Sequence, residues 1–214
     1  MDAIQPLLFF LPAIALGMFI LFFSRRRMRR KLEPLAELLD EHSGDPTGFF
    51  AVTLAGHFRS REAAFLLIPG GKNRPRKFFI EVACAGSLVF EIYREGMGTR
   101  FAKKLHLLKD VEIGDSELDE KLVFSCKDPE RFSRWIASTE VKAAVSSLLL
   151  ARDVDRLALE TGRLRAIHIH YGDDDFERER VRGVLGEMET LARALESAGA
   201  LRAAAESGRL PVQG

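Results

Sequence analysis

The order of apolar and polar positions divides the chain into an N-terminal apolar run and a longer segment of mixed pattern. Residues 7–23, LLFFLPAIALGMFILFF, contain no charged or strongly polar side chain. At about 1.5 Å of rise per residue, this run covers roughly 25 Å as a helix, near the short end of the transmembrane range. Pro12 lies inside it, but membrane-spanning helices tolerate proline better than soluble helices do. The pattern predicts a single transmembrane helix.

The charges around this run argue against two alternatives and predict an orientation. A cleaved signal peptide has positive charge before its apolar run, whereas here Asp2 precedes the run and RRRMRRK follows it. A buried core helix is seldom followed by so dense a cluster of charges. The basic side chains predict a short N-terminus outside and a C-terminal domain in the cytoplasm, at a bacterial inner membrane whose anionic headgroups they attract. They are Arg25, Arg26, Arg27, Arg29, Arg30 and Lys31.

From residue 49 to residue 94 the apolar positions alternate with period two between glycine-containing turns. This pattern predicts antiparallel hairpins. The side chains predicted to share faces are Phe50, Val52, Leu54 and Phe58; Ala64, Leu66 and Ile68; Phe78, Ile80, Val82 and Cys84; and Leu88, Phe90 and Ile92. Further strands are predicted at 107–113 and 121–126, with one more hairpin around Thr161-Gly162.

Helix signals follow in the second half of the chain. Asp128-Pro129-Glu130 combines an N-cap acceptor, proline at the first helical position and an acid near the positive end of the helix dipole. A second mid-chain helix is predicted from about Ser138 to Leu150. A long C-terminal helix carries one apolar stripe, consisting of Val181, Val184, Leu185, Met188, Leu191, Ala192, Leu195 and Ala198.

Together these elements predict an α+β fold: a transmembrane helix, a mainly antiparallel sheet of about seven strands, two mid-chain helices and a long C-terminal helix. Residues 1–31 form the anchor and its basic segment. Residues 32–48 read as a linker, with a short helix from Pro34 and a turn at Ser43–Gly48. Residues 49–200 form the domain, and 201–214 a flexible tail.

Charge and cysteine content narrow the function classes. Residues 1–31 carry a net charge of +5 while the whole chain carries +1, so the remaining residues sum to −4. A mildly acidic domain is unlike a nucleic-acid binder, which presents a basic face. Cys84 and Cys126 are too few for a disulfide framework and are expected to pack as small apolar side chains. The abundance of arginine and alanine is typical of a GC-rich bacterial genome.

His168-Ile169-His170 is the cluster that most resembles a chemical site. Side chains at i and i+2 of a strand point the same way, so both imidazoles could meet one metal ion, with Asp173 close behind. However, Ile167, Ile169 and Tyr171 predict that the opposite side of the strand faces the core. We therefore expect the histidines at the solvent face, with no metal site and no other cofactor. Gly70-Gly71-Lys72 has neither the spacing nor the helix of a phosphate-binding loop and reads as a hairpin turn.

Residues 111–150 carry three features that resemble a known family. Asp115–Lys121 reads DSELDEK, Asp128–Arg131 reads DPER, and a helix begins near Thr139-Glu140-Val141. This order resembles a bacterial domain-of-unknown-function family of small membrane-anchored proteins, over residues 111–198. The family has no assigned activity, so the resemblance implies the architecture alone. We expect a non-enzymatic interaction or scaffold module with an unknown protein partner, or alternatively a membrane-tethered, metal-dependent enzyme using His168 and His170.

Overall fold

The first described element is one continuous helix that joins the N-terminal apolar run to the rest of the chain. The computed structural model describes residues 5–43, 51–95 and 111–206. Helix α1 extends from Gln5 to Leu32 and passes without a break through the basic segment. Among the residues searched, no helix is both long enough and apolar enough to cross a membrane.

The centre of the fold is an eight-stranded sheet in which every neighbouring pair is antiparallel. The strand order is β1-β2-β3-β4-β8-β7-β5-β6. The predicted antiparallel sheet is thus confirmed, with one strand more than expected. The strands are β1 (Asp40–Ser43), β2 (Val52–Phe58), β3 (Arg61–Ile68), β4 (Lys77–Ala83), β5 (Phe90–Arg94), β6 (Leu122–Cys126), β7 (Arg156–Glu160) and β8 (Arg163–Ile169).

The helices beyond α1 form a second layer. Helix α2 (Ser116–Lys121) and helix α3 (Pro129–Ile136) each start with an aspartate side chain that accepts a backbone N–H bond. Helix α4 (Thr139–Ser146) ends in a π-helical turn, Ser147–Ala151. Helix α5 (Arg178–Glu206) packs against α4 and the middle of the sheet. The two mid-chain helices and the long C-terminal helix are therefore confirmed.

One core lies between the sheet and the helices. Phe65, Phe78, Phe124 and Phe132 are fully buried, and Trp135 stacks on Phe90 with ring centroids 4.8 Å apart. The C-terminal helix contributes the predicted stripe as far as Leu195, whereas Ala198 is exposed. Every predicted inward residue of β2, β4 and β5 is buried, except Phe50, which lies outside the described residues.

The segment predicted as a linker is instead part of the domain over its described portion, residues 32–43. Residues Glu33–Leu38 form a 3₁₀ helix, and β1 adds an edge strand to β2. The reason is burial: Leu32, Leu35, Leu38 and Leu39 are each less than a tenth exposed and belong to the core. Helix α1 therefore joins the sheet through buried structure.

Three further predictions need correction. In β3 the inward residues are Ala63, Phe65 and Leu67, because Phe65 and Leu67 pair with the inward Ile80 and Phe78. Of the predicted set, Ala64 is buried, whereas Leu66 and Ile68 are only half-buried. Residues 111–113 are not a strand, and residues 107–110 of the predicted strand 107–113 lie outside the described residues. Helix α5 extends through Glu206, so the predicted tail overlaps it, and residues 207–214 lie outside the described ranges.

Candidate functional site

The predicted basic segment is the end of α1 that packs on the domain. Met28 and Leu32 are 7% and 2% exposed and belong to the core, while Arg26, Arg27, Arg29 and Arg30 point into solvent. This division follows helical spacing, because residues four apart lie on the same side of a helix. The last turn of α1 therefore has a docked apolar side and an exposed basic side.

Polar contacts add to this docking. The Lys31 ammonium lies 2.6 Å from an oxygen of Asp173 and over the rings of Tyr171 and Phe176, at 5.6 and 5.3 Å from their centroids. The Lys31 hydrogen bond and charge, followed by the charges of Arg27 and Arg76, lower the pKa of Asp173. The helix end is thus fixed to the loop that links β8 to α5.

The turn between β3 and β4 meets the same loop. The Arg76 guanidinium lies over the Tyr171 ring, 5.1 Å from its centroid, and donates a hydrogen bond to the carbonyl of His170. The N–H of His170 in turn donates to the carbonyl of Arg76, at 2.9 Å. Burial raises the pKa of the Tyr171 hydroxyl, against a smaller lowering by Arg76. Tyr171 is therefore contacted by cations from α1 and from the β3–β4 turn.

His168, which we predicted at the solvent face, is instead buried. Its side chain is 3% exposed and stacks on Phe78, with ring centroids 5.9 Å apart. It shares the inward face of β8 with Leu164 and Ala166, so the predicted phase of this strand is wrong by one residue. Its Nδ1 lies 3.4 Å from Asp175.

The surroundings of His168 set its protonation. Burial lowers the pKa of the imidazole and outweighs the opposing effect of Asp175; smaller contributions come from Arg180, Asp155 and Arg94. Asp175 accepts a hydrogen bond from the N–H of Gly172 at 2.8 Å and lies 3.3 Å from Arg180. The imidazole is therefore mainly neutral near pH 7. It packs between the sheet and the start of α5, where its role is structural.

The other two residues of the predicted cluster do not converge on His168. Strand β8 ends at Ile169, and His170 has a left-handed backbone, with φ of 61°, and an exposed side chain. The alternation that would align the two imidazoles is therefore lost at His170. Asp173 is paired with Lys31. In the described part of the chain, no three His, Cys, Asp or Glu side chains are placed to hold a metal ion.

A second cluster near His168 has no counterpart in the sequence prediction. The π-helical turn after α4 brings the Arg152 side chain against Gly183 of α5, where a Cβ atom would lie 2.1 Å from a guanidinium nitrogen. Arg180 donates to the carbonyl of Arg152 at 2.7 Å, and Asp155 accepts the N–H of Ile169 at 2.6 Å. These contacts join three segments, 152–155, the end of β8 and the start of α5, so no local motif signals them.

A pocket of about 340 Å³ opens at the foot of α1. Leu32, Val52 and Leu54 line it with buried apolar side chains, while Arg29 and His42 provide exposed polar groups. Its lining comes from α1, the 3₁₀ helix, β1 and β2, so sequence reasoning had no signal for it.

Comparison with known proteins adds no identity: neither a family model nor a curated protein matches the chain. The resemblance of residues 111–198 to a family of small membrane-anchored bacterial proteins therefore stays a prediction.

Proposed function

We propose that the chain is a single-pass membrane protein of the bacterial inner membrane, in which residues 7–23 of α1 cross the bilayer. The N-terminus lies outside, and the α+β domain acts at the cytoplasmic face as a non-enzymatic interaction or scaffold module. The observation that carries this proposal is the contrast along α1 between the exposed apolar side chains described within residues 14–23 and a basic end packed on the domain.

Among the described side chains, the large apolar ones that are exposed all lie in one stretch of α1. Those described are between 58% and 65% exposed: Ile14, Leu16, Met18, Phe19, Ile20, Phe22 and Phe23. With 3.6 residues per turn, these positions cover about two thirds of the helix circumference. A helix that is apolar all round requires burial in a large core or in a membrane, and soluble monomers rarely expose an apolar surface of this extent. The domain does not cover these side chains, which favours lipid as their environment.

The basic end of α1 supports the orientation and the lipid contact. Arg26, Arg27, Arg29 and Arg30 are exposed and follow the apolar segment directly, where the positive-inside rule places cytoplasmic residues. At 1.5 Å per residue, Met28 lies about 8 Å along the helix from Phe23. Since Met28 already belongs to the core, the domain would be held against the anionic headgroups.

The candidate catalytic residues His168, His170 and Asp173 have structural surroundings. His168 is buried against Phe78, His170 lies beyond the strand, and Asp173 is paired with Lys31. A membrane-tethered enzyme that uses His168 and His170 together would require both imidazoles on one face, which the left-handed backbone at His170 prevents. These contacts support the interaction module over the enzyme.

The anchor can be tested with reporter fusions and membrane extraction. A cytoplasm-active reporter after Gly214 should work, and an export-dependent phosphatase there should be inactive. Alkaline carbonate should leave the protein in the membrane, whereas Phe19→Arg combined with Leu16→Arg should release it. Ala198→Arg, an exposed position of α5, is the matched control and should stay in the membrane. An active phosphatase fusion would refute the orientation, and release of the unmodified protein would refute the anchor.

The module itself needs a partner test. Chemical crosslinking in membranes, followed by purification of the full chain, should recover a protein that a fragment of residues 1–31 does not retain. Metal bound at one equivalent, and lost in a variant carrying His168→Ala with His170→Ala, would instead favour the enzyme.

A further inference from the structure

The connection between β3 and β4 is a turn whose only charges are positive. Gly71 and Arg74 exchange two backbone hydrogen bonds, of 2.9 and 3.3 Å, which place Lys72 and Asn73 at the tip. Residues 70–74 are all exposed. We call residues 69–77, PGGKNRPRK, the basic hairpin; its cations are Lys72, Arg74, Arg76 and Lys77.

The domain does not neutralise these cations. In the ranges that the structure describes, none of the four forms an ion pair, whereas other arginines on β3 and β8 do: Arg61 lies 2.6 Å from Glu196, and Arg165 lies 2.8 Å from Glu81. Asp173, whose pKa the charge of Arg76 helps to lower, is already bound by Lys31. Like charges concentrated in one turn repel one another, and an anionic surface relieves that repulsion.

The basic hairpin lies at the same end of the sheet as α1. Arg76 and Lys31 both lie over the ring of Tyr171, at 5.1 and 5.6 Å from its centroid, so the two cations are within about 11 Å of each other. Lys31 is about 12 Å along the helix axis from Phe23, at 1.5 Å per residue. The headgroup layer that begins near Phe23 is itself several ångströms thick. The basic hairpin therefore lies beside the basic end of α1, at the end of the domain that the proposed anchor brings nearest to the bilayer.

We propose that the basic hairpin is a second membrane contact, which binds the anionic phospholipid headgroups of the same bilayer that holds α1. This inference rests on the proposed membrane anchor. Two contacts, a helix and a hairpin tip, would fix the domain in rotation about the axis of α1 as well as in depth. Lipid is favoured over nucleic acid because residues 32–214 sum to −4, and because the basic hairpin meets the basic end of α1 at Tyr171.

A fluorophore at the tip can test the contact in the full chain. Cys84 is buried and Cys126 half-buried, and burial raises the pKa of both thiols, so Asn73→Cys should react first. The protein is placed in nanodiscs that contain lipids with a nitroxide-labelled headgroup, with or without about a third phosphatidylglycerol. The matched control is Thr161→Cys, in the exposed β7–β8 turn. Because Ala83 pairs with Arg163, that turn lies about 20 Å away along β4, at 3.3 Å per residue.

We expect headgroup quenching of the Asn73 label in anionic discs, weaker quenching in neutral discs, and none of the Thr161 label. Each cation removed by Lys72→Gln and Arg74→Gln should lower the equilibrium constant for contact about five-fold. Equal quenching at Asn73 and Thr161, in protein that elutes with the discs, would refute the hairpin contact and leave the anchor intact. Equal quenching in neutral and anionic discs would refute its electrostatic basis. Protein that does not enter the discs would refute the anchor and the inference with it.

Discussion

Replacement of His168 tests the structural role assigned to the buried imidazole. The ring is 3% exposed, stacks on Phe78 and lies 3.4 Å from Asp175. His168→Ala would leave a cavity beside Phe78 and remove one partner of a half-buried carboxylate. Such a cavity and the lost polar contact together lower the free energy of unfolding by about 2–3 kcal/mol. The neighbouring His170→Ala, at an exposed position outside the strand, should change it by less than about 0.5 kcal/mol.

The pH dependence gives a second, independent signature. The folded-state pKa of His168 lies below the ordinary value of 6.5, so the unfolded state binds the proton more readily. His168 therefore makes the free energy of unfolding increase as the pH rises. This contribution is lost as the pH falls below about 6.5 toward the folded-state pKa. One such group contributes a slope of at most about 1.4 kcal/mol per pH unit. His168→Ala should remove this slope while His170→Ala retains it.

The assay is urea unfolding of the full chain in detergent, followed by fluorescence of Trp135. This residue is the only tryptophan and is 4% exposed. Transitions are compared at pH 7.5 and pH 5.5 for the unmodified chain and both variants. Equal losses of stability for His168→Ala and His170→Ala, or an unchanged pH slope in His168→Ala, would show that the burial of His168 is misassigned.

Two other sets of substitutions test the packing of α5. Met188→Asp should abolish cooperative unfolding, because a charge in a fully buried position costs several kcal/mol, comparable to the stability of a domain. The control Ala198→Asp, at an exposed position, should be tolerated. A cooperative transition in Met188→Asp would show that α5 is a free arm. Gly186→Ala, with open space around its Cβ position, should stabilise the chain by about 1 kcal/mol in the same assay, whereas Gly183→Ala must displace the Arg152 guanidinium and should gain less. Equal gains at both glycines would show that the contact between Arg152 and Gly183 does not constrain α5.

The sequence predicted those elements whose two faces differ clearly in polarity. The stripe of α5 recurs with helical spacing, and its residues from Val181 to Leu195 are buried as expected. In β4, the inward Phe78, Ile80 and Val82 are likewise buried. One face of each element is apolar along its whole length, so local spacing was sufficient.

The predicted phase was wrong where both faces of a strand are apolar. In β8, Ile167 and Ile169 look more apolar than Ala166 and His168, yet Leu164, Ala166 and His168 are the buried set. Tyr171, which lies beyond the strand, is buried as predicted. The outer face of β8 is itself half-buried, and the inward His168 lies beside Asp175. Side-chain polarity therefore ranks the two faces of the strand in the wrong order. In β3 the run AAFLLI gives no preference from polarity alone. Only the pairing with β4 fixes which side is inward.

The candidate site could be predicted only in its separate parts. The basic segment and the turn at Gly70-Gly71-Lys72 were both recognised, but nothing local shows that they meet at Tyr171. The loop contributing Tyr171 and Asp173 follows the basic segment by about 140 residues. Such a contact depends on the order of strands in the sheet, which composition and periodicity do not specify.

The buried junction after α1 has a mechanical consequence. Leu32 and Leu35 belong to the core, and Lys31 is bound to Asp173. The helix and the domain should therefore rotate together as one rigid body. Transmembrane helices adjust their tilt to bilayer thickness. With residues 7–23 in the bilayer, a change in tilt of about 10° would swing a point 35 Å from the pivot by about 6 Å. The thickness of the membrane would then set the angle at which the far end of the domain meets its partners.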